Sequence, residues 1–369
     1  MFRSFNLLLF LFAIQFSMYT ARGEMKISLL TTTAGDEAHT LFGHSAIRLV
    51  DAEKNFDKVY NFGLFDFKAP YFPIRFLGGE LRYWLGRQTT ETFIALNNKE
   101  RRLIHEQVLD LSEDDRVLVF QYLEEQRKPE NKFYRYSFTQ RNCATEIRDL
   151  FYQYDLIKAE GETHQTFRDL LNEYTSRHLW FRLGMNILLG TAVDREITYA
   201  ERMFLPAYLS QAVEEKGGVV TERNVLNDPP PLTDNAFIQF LTAPFLIFSL
   251  LAVMLLFFSP SWLRLSILGI AGLLGALLLL VWIGSRHHEL GNNWNVLWAN
   301  PLYLIYLPLR RFEQFRKLFI YLAFGGLVSV IILWLLNVQQ FDWAILPLLA
   351  VLLFVLMGEW RMHKKGVRI

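Results

Sequence analysis

Apolar residues are distributed unevenly along this chain of 369 residues. As far as Pro231 they alternate with polar residues or recur at helical spacing, which predicts one globular domain of strands and helices. From Phe237 onward they form long runs with few charges, which predicts membrane helices. The proline-rich segment 227–231 separates the two parts and predicts a linker.

Short alternating runs in the first part predict a modest antiparallel sheet with helices, an α+β domain. The predicted strands cover residues 26–30, 43–50, 59–63, 83–85, 92–96 and 134–138. The second and third of these strands are separated by a polar turn and predict a hairpin. Ser112 starts a capping-box-like sequence, which predicts a helix with Val117, Phe120 and Leu123 facing inward.

The single cysteine of the chain lies where a helix is predicted to begin. Asn142 is a favourable N-cap, so Cys143 would be the first helical residue. A thiol there lies at the positive end of the helix dipole, which lowers its pKa and favours the nucleophilic thiolate. The alternative is a buried cysteine that acts as a small hydrophobic residue.

The first 23 residues have the pattern of a secretory signal peptide, with an arginine, an apolar run and small residues before Glu24. Cleavage is predicted near Gly23, and an uncleaved anchor is the alternative. In either case the following domain is exported, where a single cysteine cannot form an internal disulfide. The net charge of +1 does not suggest a nucleic-acid partner.

The apolar second part predicts a bundle of membrane spans. The predicted spans cover residues 237–258, 265–284, 294–309, 318–336 and 343–358. The third contains Pro301 and Pro308, so it decides the number of spans. Five spans place the basic cluster 310–317 and the basic C-terminal tail in the cytoplasm, and four place both outside. The positive-inside rule favours five.

A cysteine nucleophile needs a general base, and histidine is the commonest. The exported domain contains His39, His44, His105, His164 and His178. His44 is the first choice because it begins an apolar strand directly after Gly43, and His39 is the second. Asn61, on the neighbouring strand, is the first choice to orient the imidazole, with Asp66 or His39 as alternatives.

Several motifs resemble those of the Lnb family of lipoprotein N-acyltransferases, over nearly the whole mature chain. They are TAG at 33–35, FGHSAIR at 42–48, YNFGLFDF at 60–67, PEN at 129–131, RNCATEIRD at 141–149, HHE at 287–289 and NWNVLW at 293–298. A histidine on a strand that precedes an Asn-Cys helix start is also similar to permuted papain-like, NlpC-type proteins such as lecithin retinol acyltransferase.

The resemblance implies a permuted papain-like α+β periplasmic domain at 24–200, a helical segment and linker at 201–235, and a five-helix transmembrane bundle at 236–369. It implies an inner-membrane acyltransferase with a cytoplasmic C-terminus, and it implies no cofactor. Cys143, activated by His44, would take a fatty acyl chain from a phospholipid as a thioester. The acceptor would be the N-terminal amine of a lipoprotein, with an oxyanion hole at Asn142 and Ala144.

The sequence HHE in the exported loop does not have the spacing of a helical zinc site, so no metal is predicted. His287, His288 and Glu289 are instead expected to contact lipid headgroups or the docked domain. The candidate substrate- or lipid-binding residues are His287, His288, Trp294 and Asn295. Two other functions stay open. One is a periplasmic cysteine amidase or peptidase that acts on cell-wall peptides, and the other is a non-catalytic membrane scaffold.

Overall fold

The computed structural model describes residues 25–66, 68–231 and 236–364. The predicted signal peptide therefore lies outside the described residues. The first part contains a seven-stranded sheet in the order β6-β4-β3-β2-β1-β5-β7, in which all neighbours are antiparallel. The strands are β1 Lys26–Thr32, β2 His44–Asp51, β3 Phe56–Leu64, β4 Arg82–Thr89, β5 Ile104–Leu109, β6 Phe133–Arg135 and β7 Val220–Val225.

Eight described helices accompany the sheet. They are α1 Phe72–Leu77, α2 Thr90–Lys99, α3 Glu113–Gln126, α4 Cys143–Gln153, α5 Phe167–Tyr174, α6 Leu179–Leu188, α7 Tyr199–Arg202 and α8 Pro206–Lys216. The predicted hairpin of β2 and β3 is confirmed, with Ile47 opposite Tyr60. The helix after Ser112 is also confirmed, since the Ser112 side chain accepts a hydrogen bond from the Asp115 N–H.

Two local predictions were wrong. Residues 92–96 belong to helix α2, because Thr89 caps that helix and accepts a hydrogen bond from the Thr92 N–H. In α3 the buried residues include Val119 and Leu123, whereas Val117 is exposed. Of the three residues predicted to face inward, Leu123 is buried and Phe120 packs against the main core, so the prediction is wrong at Val117 alone.

The sheet packs its main core against α4. Alternate strand residues, including Ile47 and Tyr60, point to this side and cluster with Ile147 and Leu150. The opposite face buries a smaller group that includes Leu30. Successive side chains of a strand point to opposite faces of the sheet. Both faces of β1 are buried, Leu29 against α4 and Leu30 on the opposite side. The main core holds α4 close to the sheet.

The sheet domain continues beyond the predicted boundary at residue 200. Helix α8 packs against β1, and β7 pairs with β5. Residues 201–225, predicted as a helical segment and linker, are therefore largely part of the folded domain. Leu226 and Asn227 are still hydrogen-bonded to the chain around Ile104, so the connection to the membrane region follows Asn227.

The second part is helical. Its helices are α9 Ala236–Leu241, α10 Pro244–Phe257, α11 Ser261–Gly284, α12 Leu302–Leu309, α13 Glu313–Leu335 and α14 Ile345–Lys364. In the described part of the chain, three helical segments are long and apolar enough to cross a membrane: Phe237–Phe257, Ser261–Gly284 and Glu313–Leu335.

Residues 294–309, predicted as one span, form a 3₁₀ turn at Trp294–Leu297 followed by the short helix α12. This broken segment runs along the bundle. Its start is on the domain side, where the Trp294 N–H donates to Gln339 at 2.8 Å. Near its end Tyr306 donates to Glu359 at 2.8 Å, and Glu359 pairs with Arg264 at the start of α11.

The interruption in this segment is accommodated by Gly275 on α11. A Cβ atom at this position would lie 1.7 Å from the carbonyl oxygen of Ala299 and 2.9 Å from the nitrogen of Pro301. Only a residue without a side chain allows the irregular backbone to approach α11 so closely. The polar backbone around the break is thus shielded by protein, as non-helical backbone at membrane depth requires.

We expect Gly275→Val to reduce the free energy of unfolding by about 1–3 kcal/mol, since the new side chain must displace the backbone at Ala299. Gly284→Ala in the same helix is the matched control, because a Cβ there meets nothing within 4 Å. Thermal unfolding in detergent, followed by circular dichroism, measures both. Equal melting temperatures for the two variants would contradict the close approach.

Candidate active site

Cys143 is the first residue of α4, and Asn142 is its N-cap, as the sequence predicts. The Asn142 Oδ1 atom accepts hydrogen bonds from the N–H groups of Ala144 at 2.8 Å and Thr145 at 3.0 Å. The Asn142 amide donates to the carbonyl oxygens of Phe138 at 2.7 Å and Phe204 at 2.8 Å. The cap residue is therefore fully hydrogen-bonded inside the protein.

The structure brings His44 and Asn61 together. His44 begins β2, Asn61 lies near the end of β3, and the His44 Nε2 atom is 3.1 Å from Asn61 Oδ1. An amide oxygen accepts, so this contact selects the tautomer with the proton on Nε2. The Nδ1 atom of His44 then carries the lone pair that can accept a proton.

Helix α4 places Cys143 against the same two strands. It packs on β2 and β3, and the backbone N–H of Ser45, next to His44, acts on the Cys143 sulfur. Gly63 follows Asn61 after a break in the β3–β4 register and has φ +86°. A Cβ atom on Gly63 would lie 3.8 Å from the Cβ of Cys143, so this strand end approaches the nucleophile closely.

The alternative orienting residues lie elsewhere. The Asp66 Oδ1 atom accepts the N–H of Lys68 at 2.8 Å and closes its own exposed turn. His39 is near two carboxylates, with 3.5 Å to Glu37 and 3.6 Å to Glu100. Among the candidates for this role, Asn61 is the one that the structure joins to His44 by a hydrogen bond.

A buried arginine, which the sequence analysis did not select, lies beside His44. Arg102 donates to the Thr32 hydroxyl and to the Thr33 carbonyl, the latter at 3.0 Å, and Thr32 is directly opposite His44 in the β1–β2 pair. The arginine is also 3.0 Å from Glu100. Because β1 pairs with both β2 and β5, the chain just before β5 reaches the site.

Burial and the charge of Arg102 determine the protonation states of His44 and Cys143. Burial and then the arginine charge lower the pKa of His44 to about 4, although the Asn61 hydrogen bond opposes them. Burial also raises the pKa of the Cys143 thiol, and it outweighs the backbone N–H groups and Arg102, which lower it. The lowering expected from the helix start alone is therefore not the net effect. At neutral pH a thiol lies near a neutral imidazole.

Two family models match the chain. Residues 18–177 match the model described as the Lnb N-terminal periplasmic domain, and residues 236–365 match the Lnb transmembrane domain. The chain belongs to the Lnb family. It is a membrane protein with a periplasmic N-terminal domain, and its family suggests an activity like that of lipoprotein N-acyltransferases. Neither the curated proteins nor the solved structures contain a match.

The two Lnb domains meet at the loop that precedes the cysteine. We call residues 136–142 the nucleophile loop and residues 285–298, from the transmembrane domain, the exported loop. The buried carboxylate of Glu289 accepts hydrogen bonds from the Ser137 hydroxyl at 3.0 Å, the Thr139 hydroxyl at 2.8 Å and the Thr139 N–H at 3.2 Å.

Glu289 is suited to this role as an anion. Burial favours its neutral form, but His288 and the hydrogen bonds from Thr139 hold the pKa of its carboxyl below the usual value. A charged acceptor of three hydrogen bonds makes a strong contact. The sequence predicts that the HHE motif contacts lipid headgroups or the docked domain, but it does not identify the partners of Glu289, because they are far apart along the chain.

Of the remaining predicted residues of the exported loop, His287 and His288 lie where this loop meets the sheet domain, and Trp294 and Asn295 pack against α11 and α6. The His287 Nε2 atom is 3.0 Å from the carbonyl oxygen of Phe76, and His288 lies 3.2 Å from Glu289. Trp294 packs edge-on against Trp282. Asn295 is fully buried and donates to the backbone carbonyls of α6. Docking to the domain accounts for the contacts of His287 and His288.

No group of three or more His, Cys, Asp and Glu side chains in the described residues is placed to hold a metal ion.

We expect the Cys143 thiol to titrate above its ordinary pKa of 9.0, because burial dominates its environment. The rate of alkylation by iodoacetamide against pH measures this midpoint, since the chain has no other cysteine. The Arg102 charge stabilises the thiolate, so Arg102→Gln moves the midpoint further upward. Arg102→Lys is the matched variant that keeps the charge. A midpoint near neutrality, or a downward shift in Arg102→Gln, contradicts this electrostatic account.

Proposed function

We propose that the protein transfers a fatty acyl chain from a phospholipid to the N-terminal amine of a lipoprotein through a thioester on Cys143. The observation that carries this proposal is the site itself: a cysteine at a capped helix start, close to a hydrogen-bonded His44–Asn61 pair. The same site is tied to the transmembrane domain by Glu289. A nucleophile held at the bilayer suits substrates that remain in the membrane.

In the first half-reaction, His44 acts as the general base. Its Nδ1 atom takes the proton of the Cys143 thiol as the sulfur attacks the ester carbonyl of the phospholipid. The carbon–sulfur bond forms and the ester carbon–oxygen bond breaks. The imidazolium returns its proton to the departing oxygen, which leaves as the hydroxyl of a lysophospholipid. The neutral resting pair is ready for this step, since no proton must first be lost to solvent.

In the second half-reaction, the acceptor amine attacks the thioester. The nitrogen–carbon bond forms and the carbon–sulfur bond breaks. His44 takes a proton from the amine and returns it to the sulfur, which restores the thiol and neutral imidazole. Asn61 keeps the ring oriented during both proton transfers, so it is a positioning residue.

The oxyanion of each tetrahedral intermediate needs N–H donors. The Ala144 N–H already donates to Asn142 at 2.8 Å. The N–H groups of Cys143 and Ser45 also act on the sulfur. We assign the oxyanion hole to the backbone N–H groups of Cys143 and Ser45. Asn142 holds the start of α4 in place.

We further propose that the domain is a permuted papain-like fold on five membrane crossings. The broken segment 294–309 is the third crossing, because it connects the domain side of the bundle to the end where Arg264 meets Glu359. An odd number places the basic cluster at 310–317 and the C-terminus in the cytoplasm, as the positive-inside rule favours. The membrane would then be the inner membrane.

Incubation of the protein in phospholipid vesicles with a peptide that carries an N-terminal S-diacylglyceryl cysteine tests the function. We expect the peptide to gain one acyl chain on its amine, detected by mass spectrometry. Cys143→Ala abolishes the transfer, and His44→Ala slows it by about 10²–10⁴-fold, the usual contribution of a general base. His105→Ala, on strand β5, is the matched histidine control.

Transfer that persists in Cys143→Ala contradicts the mechanism. Release of free fatty acid without any acylated peptide indicates a hydrolase instead. Cleavage of a cell-wall peptide amide in the absence of lipid supports the amidase alternative, and the absence of every reaction in a folded protein supports a scaffold.

A further inference from the structure

The connection between β3 and β4 carries an apolar helix that the domain does not cover. Helix α1 buries none of its six residues. Tyr71 is 77% exposed, Ile74 is 71% exposed and Phe76 is 45% exposed. Exposed apolar side chains that are grouped in this way indicate a surface that contacts another apolar phase.

The position of α1 identifies that phase. The Ser285 hydroxyl donates to the Leu77 carbonyl at 2.5 Å, and the Arg286 N–H donates to the Gly78 carbonyl at 3.1 Å. Both donors directly follow α11, a candidate membrane span that ends at Gly284. Helix α1 is therefore fixed at the level where α11 leaves the bilayer on the periplasmic side.

The last turn of α11, next to the residues that hold α1, also exposes apolar side chains. Leu280 and Ile283, in the last turn of α11, are 70% and 77% exposed. Arg75, Arg82 and Arg286 lie in or next to the α1 connection, and Arg286 pairs with Glu80 at 3.5 Å. Arginine at this depth is suited to lipid phosphate, and apolar side chains beside it are suited to the acyl region.

A ladder of aromatic rings leads from α1 toward the nucleophile. Phe76 stacks with Phe72 at 6.0 Å, Phe72 with Phe65 at 5.8 Å, and Phe65 contacts Tyr83 at 5.0 Å between ring centroids. Tyr83 then stacks with Tyr136 at 4.4 Å.

The ladder ends beside Cys143. A Cβ atom on Gly63 would lie 3.8 Å from both the Tyr136 ring and the Cys143 Cβ. The rings therefore form a nearly continuous apolar track between the exposed helix and the thiol. Aromatic faces pack well on alkyl chains, and the hydroxyls of Tyr83 and Tyr136 are the hydrogen-bonding groups that these five rings carry.

We propose that α1 inserts into the outer leaflet of the membrane and that the ladder from Phe76 to Tyr136 guides a glycerophospholipid acyl chain to Cys143. The occupant of the α1 surface is the bilayer itself. The route along the ladder rests on the proposed acyl transfer, whereas the insertion of α1 does not.

The insertion is tested by fluorescence in a Cys143→Ala background, where an introduced cysteine is unique. The variant Ile74→Cys, labelled with bimane and placed in phosphatidylcholine–phosphatidylglycerol vesicles, is expected to be quenched strongly by lipids with a doxyl group near the headgroup. Leu118→Cys on α3, also exposed, is the matched control and is expected to show little quenching. Equal quenching at the two positions overturns the insertion.

The route is tested by the ratio of two rates of Cys143 acylation, one with vesicle phospholipid and one with the soluble ester p-nitrophenyl butyrate. We expect Phe72→Ser/Phe76→Ser, which removes the first two rings of the ladder, to lower this ratio roughly tenfold or more, because the acyl chain loses the apolar track to Cys143. Val117→Ser/Leu118→Ser on α3 is the matched pair of exposed apolar residues and keeps the ratio of the wild type.

An unchanged ratio in Phe72→Ser/Phe76→Ser overturns the route. Wild-type protein that is acylated by neither ester overturns the proposed function and the route together. In that case quenching at Ile74→Cys still decides the insertion, so the two failures are distinguishable.

Discussion

The Asn142 side chain accepts two N–H groups of α4 and donates to the carbonyl oxygens of Phe138 and Phe204. These four bonds fix the start of α4, and with it the position of Cys143, against the end of the sheet. Glu289 then holds the nucleophile loop from the membrane side. The nucleophile is therefore placed by contacts from the sheet domain and from the transmembrane domain at once. A shift of the transmembrane bundle would move Glu289, and through its hydrogen bonds to the nucleophile loop it would move the start of α4 and Cys143.

Burial controls the chemistry of this site more than the helix dipole does. It raises the pKa of Cys143 and lowers that of His44, and both shifts favour the uncharged pair. A neutral pair has little attraction for water, which suits a thioester that must survive until an amine arrives. Burial makes the thiolate of Cys143 harder to form, and the charge of Arg102 partly offsets this because it stabilises the thiolate. The same charge disfavours the imidazolium of His44. The site therefore balances a dry environment against the need to move one proton.

The sequence predicts features that depend on neighbouring residues. The Asn142 cap and the β2–β3 hairpin follow from short patterns, and the Asn61–His44 contact follows from that hairpin. Arg102 was missed because strand pairing brings it to the site from a distant segment. For Glu289 the sequence predicts contact with lipid headgroups or the docked domain, but it does not identify Ser137 and Thr139 as the partners. Residues 92–96 were misassigned because β-branched and aromatic residues there resemble a strand, whereas the Thr89 cap starts a helix. The prolines of segment 294–309 indicate an interruption, but only the close approach to Gly275 shows how the bundle accommodates it.

The most direct test of the central claim is the intact mass of the full-length protein after incubation with phospholipid vesicles and no acceptor. The account predicts an added mass of one fatty acyl chain that hydroxylamine removes and that Cys143→Ala does not acquire. A folded wild-type protein that stays unmodified, or an adduct that persists in Cys143→Ala, would contradict a thioester on Cys143.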